Sequence, residues 1–400
     1  MSRGGTLMVL GAGVYQVPGI RAAVASGLRV VTVDWDLRNP GHRHSHACAE
    51  VSTTDVDGVL RVARSQAPDG IVTFASDVAT STVAHVAEAL GVPGCPPAAV
   101  RVLSNKGLLR SLQHARGLAA PKFALGSETG ELREARETMT GPTMVKPVDS
   151  SGSRGVTLVA QGNERAFEEA VEQAKSFSRT KQVCVEEFLP GEEVGGDAIV
   201  VDGSVAFLQC THKWRRGFLV AGHSLPPNLT SEQQQAVACA VGGLCQAAGY
   251  GGGVVNFDVM VDGEQATVIE MSPRTGGNGI PALLAAVTGV DTVRAAIAFA
   301  LGEAPRVAAS DARFASAGSV VLGVRGTGPV ERPRSEEQVR AALPELIEYV
   351  CEIPASSLAS AWDHGGASLG YCVFGCPADV SYEDMAVRAR MAVGIEGFFT

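Results

Sequence analysis

Short apolar runs alternate with helix-length segments through the first part of the chain. Thr6–Leu10 is an apolar run that ends in Gly11-Ala12-Gly13, and a helical segment follows as far as Ser26 and Gly27. Arg29–Val33 is a second apolar run, ending at Asp34. Ile71–Phe74 is a third, and His85–Leu90 closes another helix. Strands that repeat in alternation with helices predict a parallel sheet. Near Gly91–Pro97 the composition turns to Gly and Pro, which places a boundary there.

Beyond that boundary the pattern changes. Ser104-Asn105 offers a cap for a helix running to His114, and Pro121–Leu125 opens a β-rich region. Its strands are predicted at Thr143–Lys146, Val156–Ala160 and Gln182–Phe188, with a Ser/Gly loop at Ser150–Gly155 and a charged helix at Arg165–Phe177. Asp202-Gly203 lies between two β-branched runs and marks a hairpin. Ser231–Ala248 reads as a helix, Pro281–Leu301 as another, and Ala304–Asp311 as a linker. The remainder is a smaller α+β piece with strands near Ser319–Gly323 and Gly370–Phe374 and a final helix from Tyr382.

The stretch Asn256–Gly279, NFDVMVDGEQATVIEMSPRTGGNG, predicts two strands around a turn. Strand side chains alternate faces, so Asn256 and Asp258 share one face, and Glu270, Ser272 and Arg274 share another while the strand lasts. A two-residue Asp262-Gly263 turn would put Asp258 and Glu270 on opposite faces. A three-residue loop, Asp262–Glu264, puts them on the same side, and this is the register we expect. It gathers two carboxylates, a cation and a Gly-rich loop, the parts of a metal-assisted phosphoryl-transfer site.

Composition narrows the choices. Four hundred residues with 47 glycines and 20 prolines fit two or three globular α/β domains with many functional loops. A net charge of −9 without a basic block argues against nucleic acid. No apolar run reaches the ~18 residues of a membrane span, and the apolar part of MSRGGTLMVLGAGV is too short for a signal peptide. Nine scattered cysteines without a CxxC pair predict reduced thiols in a cytoplasmic protein rather than disulfides or a zinc site.

Several motifs carry chemistry. Gly11-Ala12-Gly13 with Asp34 downstream is part of a dinucleotide fingerprint, but Gln16 stands where the third glycine belongs. Lys146 followed by Ser150–Val156 pairs a strand lysine with a loop whose N–H groups suit triphosphate oxygens, or is a surface hairpin. Val185–Glu193 runs an acidic strand through Phe188-Leu189 into a Pro-Gly turn, which suits an adenine edge or a solvated sheet edge. His42, His44 and His46 alternate in one loop with no further ligand beside them.

Taken in order, Lys106, Lys146, the Ser/Gly loop, EEFLPGEE, Asp258 and Glu270-x-Ser272-x-Arg274 resemble the ATP-grasp superfamily over roughly residues 5–305. The resemblance is close to carboxylate–amine ligases, including L-amino acid ligases, and GGASLGY at Gly365–Tyr371 is similar to the C-terminal piece of amino-acid ligases. It implies a mixed α/β and α+β fold. A Rossmann-like (pre-ATP-grasp) domain would span 1–95, an ATP-grasp core 96–305 with a lid subdomain at about 121–195, and a C-terminal α+β subdomain 306–400.

The resemblance also implies roles. Lys106 and Lys146 would contact ATP phosphates, with Ser151, Gly152, Ser153 and Gly155 in the loop above them and Lys213 as a third cation. Glu186 would lie at the adenine pocket, Glu187 and Leu189 at the hinge, and Glu193 on the ribose. Asp258 and Glu270 would hold magnesium, two ions in all, with manganese as a substitute. Ser272 replaces the asparagine common at its position, so its hydroxyl is a weaker candidate ligand, and Asn256 is a substitute for it. Arg274 would steady the acyl phosphate and the tetrahedral intermediate. His223, in GHSLPP, would lie near the acceptor, and Gly276, Gly277 and Asn278 would cradle the substrate or act as a strand-to-helix turn. The implied activity joins a carboxylate, an amino acid's for preference, to an amine through an acyl phosphate in a homodimeric enzyme with small-molecule substrates. The alternatives are a purine-pathway or carboxylase-type relative acting on formate or bicarbonate, an NAD-dependent oxidoreductase, and a non-catalytic nucleotide-binding scaffold.

Overall fold

The computed structural model describes residues 4–307, 312–329, 333–353 and 358–395. Strands β1 (Thr6–Leu10), β2 (Arg29–Asp34), β3 (Ala47–Glu50) and β4 (Gly70–Val72) form a parallel sheet in the order β3-β2-β1-β4. Leu7, Met8, Val9 and Leu10 are all fully buried, as the central strand of a sheet covered on both faces requires. The glycine turn after β1 is filled from within. Asp34 accepts the Ala12 N–H at 2.7 Å, and a Cβ on Gly13 would lie 3.0 Å from the Gln16 side chain. Gln16 itself donates to the Phe74 carbonyl. The turn is thereby fixed by Asp34 and Gln16.

The segment expected to be the lid, hereafter the lid, is a four-stranded antiparallel sheet of β5 (Phe123–Gly126), β6 (Thr143–Pro147), β7 (Thr157–Val159) and β8 (Val183–Glu187), ordered β5-β8-β6-β7. Helices Thr129–Glu137 and Glu164–Phe177 accompany it, and Phe167, Val171 and Ala174 of the second pack on Val145, Val159, Val183 and Val185. The apolar stripe of a helix and one face of a sheet make a small core of their own.

The third layer is the largest. Strands β9 (Glu192–Val201), β10 (Ser204–Arg216), β11 (Leu219–Leu225), β12 (Gly253–Asp262), β13 (Gln265–Ser272) and β14 (Ala317–Leu322) begin it, and the ribbon strands β15 (Gly328–Pro329) and β17 (Leu358–Ala359) stand apart. With β16 (Leu346–Val350) and β18 (Gly370–Gly375) the large sheet is ordered β13-β12-β9-β10-β11-β14-β18-β16. The C-terminal piece therefore continues the core sheet, through the pairing of β11 with β14. Helix Ser231–Ala248 lays Val237, Val241, Leu244 and Cys245 on Val255, Phe257, Val259 and Val261 of β12. Odd residues of β12 are thus spent on the core and even ones turn the other way.

Two expectations change, and a third falls partly outside the described residues. Pro281–Leu301 is two helices, Ile280–Thr288 and Thr292–Ala300, bent by 109°. Gly289 ends the first in a left-handed conformation and Asp291 starts the second by accepting the Arg294 N–H at 2.9 Å, so the break is written in a Gly C-cap and an Asp N-cap. The linker at 304–311 lies outside the described residues from 308 on. Finally, the β12–β13 hairpin takes neither anticipated loop. Asp262 pairs with Gln265 around a two-residue Gly263-Glu264 turn, and a β-bulge at Ile269 then brings Asp258 opposite Glu270.

Candidate active site

A cleft of about 550 Å³ opens between the lid, β12–β13 and the edge of the N-terminal domain. It is lined by Lys106, Lys146, Ser151, Gly152, Ser153, Glu186, Glu187, Leu189, Glu193, Lys213, His223, Asp258, Glu270, Ser272, Arg274, Gly277 and Asn278. The residues nominated by the sequence converge there, with two exceptions. Gly155 turns toward the helix under the lid, where a Cβ would lie 2.9 Å from Phe177. Gly276 spends its N–H on the buried Asp197 carboxylate at 2.8 and 3.1 Å, so it supports the turn from below and has no donor for a substrate.

The floor is built on strand alternation. Asn256 and Asp258 on β12 lie directly opposite Ser272 and Glu270 on β13. Asp258 contacts the Lys213 ammonium at 2.8 Å, and Glu270 receives Lys106 at 2.9 Å. Burial, with Glu193 and Glu270 nearby, pushes the Asp258 carboxyl up despite Lys213. A divalent cation between Asp258 and Glu270 would relieve that. Among the described residues no third His, Cys, Asp or Glu joins them as a metal-binding group. Two carboxylates plus nucleotide phosphates are an ordinary ligand set for Mg²⁺, so the residues present fit the ion.

Ser272 lines the cleft next to this pair. Its hydroxyl donates to Asp77 at 2.5 Å, and Arg274 meets the same carboxylate at 2.6 Å. The Asp77 carboxyl is held below the usual range by Arg274 and by hydrogen bonds from Ser272 and Arg274, against the cost of burial. Asn256, the suggested substitute, donates its amide to Gly196 O at 2.8 Å and to Asp197 at 3.0 Å.

The side expected to face the nucleotide is a chain of charge pairs. Lys146 pairs with Glu186, which is 2% exposed, and Arg110 reaches the same carboxylate at 2.9 Å. Burial alone would raise Glu186; the two cations bring it down to about 2, so it is ionised throughout. Glu193 is gripped by Lys213 at 2.6 Å and Arg215 at 2.5 Å. Glu187 gives its own N–H to the Lys122 carbonyl and takes the Thr140 N–H on its side chain. Over the cleft, Gly152 and Ser153 hold positive φ of 67° and 59°, and Gly152 O accepts the Gly365 N–H at 3.2 Å. The lid loop thus rests on the GGASLGY turn.

His223 is 2% exposed on β11 beside Lys213 and shares a 2.9 Å hydrogen bond with Thr211. Burial, then the charges of Lys213 and His212, lower its basicity to a pKa of about 3. It is a neutral ring in the wall of the cleft. The three loop histidines disperse: His42 meets Thr32, His44 meets Glu352, and His46 accepts the Val30 N–H.

Four functional residues had no clear sequence signal. Arg110 lies one helical turn after Lys106, a spacing that only hints at a shared face. Asp77 and Asp197 are lone acids whose partners are distant in sequence. Gly195 pairs with Asp258 across the ladder, and a Cβ there would stand 2.8 Å from the Asp258 carboxylate.

The ATP-grasp domain model matches residues 139–282. The protein y4rH of Sinorhizobium fredii (strain NBRC 101917 / NGR234), named as uncharacterized, is 28% identical over 289 residues, covering 70% of this chain and 59% of its own length, less than two thirds. A formate-dependent phosphoribosylglycinamide formyltransferase of Rhodococcus jostii (strain RHA1) is 27% identical over 288 residues, covering 69% of this chain and 70% of its own. The solved L-amino acid ligase from Bacillus licheniformis shares the fold, with a TM-score of 0.77 at 21% identity and 98% coverage of both chains. Residues 139–282 thus match an ATP-grasp domain, and the chain as a whole shares the fold of that L-amino acid ligase, with paired carboxylates and three lysines gathered in one cleft.

Proposed function

We propose that this enzyme phosphorylates a small carboxylic acid with ATP and passes the acyl group to an amine, releasing ADP and phosphate. The observation that carries this reading is the Asp258–Glu270 pair facing Lys106, Lys213 and Arg274 in one cleft. Bound magnesium would supply charge neutralisation between triphosphate oxygens, held by Asp258 and Glu270. Lys106, Lys146 and Lys213 are placed for the phosphates, and Arg274 for the acyl phosphate and the oxyanion that forms when the amine adds. No protein nucleophile is required, and the loop 150–155 resting on 365–366 keeps water from the acyl phosphate.

For the acid, the relatives named formate-dependent phosphoribosylglycinamide formyltransferase favour a formate-type substrate in a purine pathway over the amino acid expected from the sequence. One observation favours the amino-acid ligase as a second reading. Gly365, Gly366 and Ser368, from the GGASLGY turn that is similar to amino-acid ligases, line the cleft. The working unit is proposed to be a homodimer.

ADP release decides among these readings. The parent enzyme with ATP and Mg²⁺ is assayed with formate plus phosphoribosylglycinamide, and separately with pairs of amino acids. Stimulation by the first supports the purine-pathway reading, and stimulation by an amino-acid pair supports the second. No stimulated ADP with any acid and amine would sink the ligase reading.

A further inference from the structure

Arg110 is fully buried, yet it contacts no surface of the cleft. Its guanidinium carries five N–H groups, and five acceptors meet them. Nε donates to Glu186 Oε2 at 2.9 Å and Nη2 to Glu186 Oε1 at 3.4 Å. Nη1 donates to Gln113 Oε1 at 2.8 Å and to the Val268 carbonyl at 3.1 Å, and Nη2 to the Ile269 carbonyl at 3.0 Å. Gln113 also donates to Val268 O, at 3.0 Å.

Val268 and Ile269 are the residues at which β13 bulges immediately before Glu270. A bulge lifts backbone carbonyls out of the ladder and needs other donors for them. Arg110 is that donor. With its other edge it holds Glu186, which in turn holds Lys146. A single planar side chain therefore ties the strand bearing the metal carboxylate to the lid strands bearing a phosphate lysine, in a fixed fork geometry that an ammonium cannot reproduce.

We propose that Arg110 is a positioning residue of this active site: it sets Glu270 for magnesium through the bulge and, separately, Lys146 for the nucleotide through Glu186. This rests on the ATP–magnesium reading of the cleft. Two consequences separate the two arms. Arg110→Lys retains a cation for Glu186 but loses the two-carbonyl grip; Arg110→Met loses both.

The test is direct binding without turnover. Mn²⁺ affinity is measured by electron paramagnetic resonance in the presence of ADP, ADP affinity by calorimetry, and folding by circular dichroism melting. For Arg110→Lys we expect ADP affinity within about threefold of the parent and Mn²⁺ affinity weakened about 10- to 100-fold, the range for losing a group that orients a metal ligand. Arg110→Met, where folded, weakens both. Parent-like Mn²⁺ binding by Arg110→Lys would overturn the proposal. So would a parallel fall of both affinities with melting temperature in that variant, which is the signature of simple destabilisation. Failure of the parent itself to bind Mn²⁺ with ADP would overturn the nucleotide reading, and this proposal with it.

Discussion

Asp258 stands directly opposite Glu270 across the β12–β13 ladder, although the hairpin that carries them starts out of phase for that meeting. From the Asp262–Gln265 pair at the turn, regular pairing would set Asp258 against Ile269 and aim Glu270 at the other face. The bulge adds one residue and reverses the parity. Ala266 and Val268 enter the helix-covered core before it, and Met271 enters the same core after it. The apolar positions fix the switch, and the acid pair is its consequence.

Two carboxylates that share one metal and its nucleotide should not act independently. Asp258→Asn and Glu270→Gln are each expected to lower turnover about 100-fold or more, and the double variant little further than the worse single. Turnover at saturating Mg²⁺ across the cycle is the measurement. Multiplying effects would mean the two residues serve separate tasks.

Gly195 lies where β9 passes closest to Asp258. A methyl group there would sit 2.8 Å from the Asp258 carboxylate and 3.3 Å from the Lys213 side chain, in a strand whose neighbours are buried. Gly195→Ala should therefore shift Asp258 and weaken Mn²⁺ binding by about tenfold. Gly251→Ala, with nothing near its missing Cβ and no left-handed backbone, is the control, and equal Mn²⁺ affinity in the two variants would refute the argument.

Arg274 shares Asp77 with Ser272, so the guanidinium is aimed by a residue from the N-terminal domain. Arg274→Ala should cost turnover about 10²- to 10³-fold while ADP affinity stays near the parent's, because the lost contacts are to groups that become charged during reaction. Asp77→Asn keeps the shape but loosens the aim, and a smaller fall in turnover follows. Unchanged turnover in Arg274→Ala would remove it from the mechanism.

A buried imidazole with a pKa near 3 is neutral throughout the working range. His223 therefore contributes no limb to the pH–rate profile, and His223→Gln should change the height of the curve without changing its shape between about pH 5.5 and 8.5. A limb in the parent near neutrality that vanishes in the variant would restore His223 as an acid or base.

Much of this was legible in the chain. Parallel strands showed as apolar runs, the Asn105 cap marked its helix, and the ordered series from Lys106 to Arg274 located the cleft, whose lining includes Lys106, Lys146, Glu186, Asp258, Glu270 and Arg274. What stayed hidden depends on partners brought from far away. Arg110 looked like any charged helix residue until Glu186 and the carbonyls of β13 closed around it. Asp77 meets Ser272 at a separation of 195 residues. Nor did local pattern disclose the bulge, since an apolar run of valine, isoleucine and methionine reads the same in either parity. Pro281–Leu301 misled because its apolar period continues through Gly289, whose left-handed backbone ends the first helix.

Glu348 on β16 lies beside the N-terminal domain, its carboxylate accepting the Tyr371 hydroxyl at 2.8 Å. Burial raises its pKa to about 7; Asp291 adds to the shift, while Tyr371 and Arg21 oppose it. A carboxyl that is harder to ionise folded than unfolded costs nothing below pH 4.5, where both states are protonated. As pH rises from there to 7 the unfolded chain sheds its proton first, so stability is lost across that window and the penalty is complete above it. The penalty is on the order of 3 kcal/mol, a few degrees in melting temperature for a protein of this size. Glu348→Gln keeps an acceptor for Tyr371 and removes the ionisation. Its melting temperature relative to the parent should therefore climb between pH 5 and pH 8 and level off beyond. A difference that stays flat with pH, or falls, would show that Glu348 ionises as freely in the folded protein as in the unfolded chain.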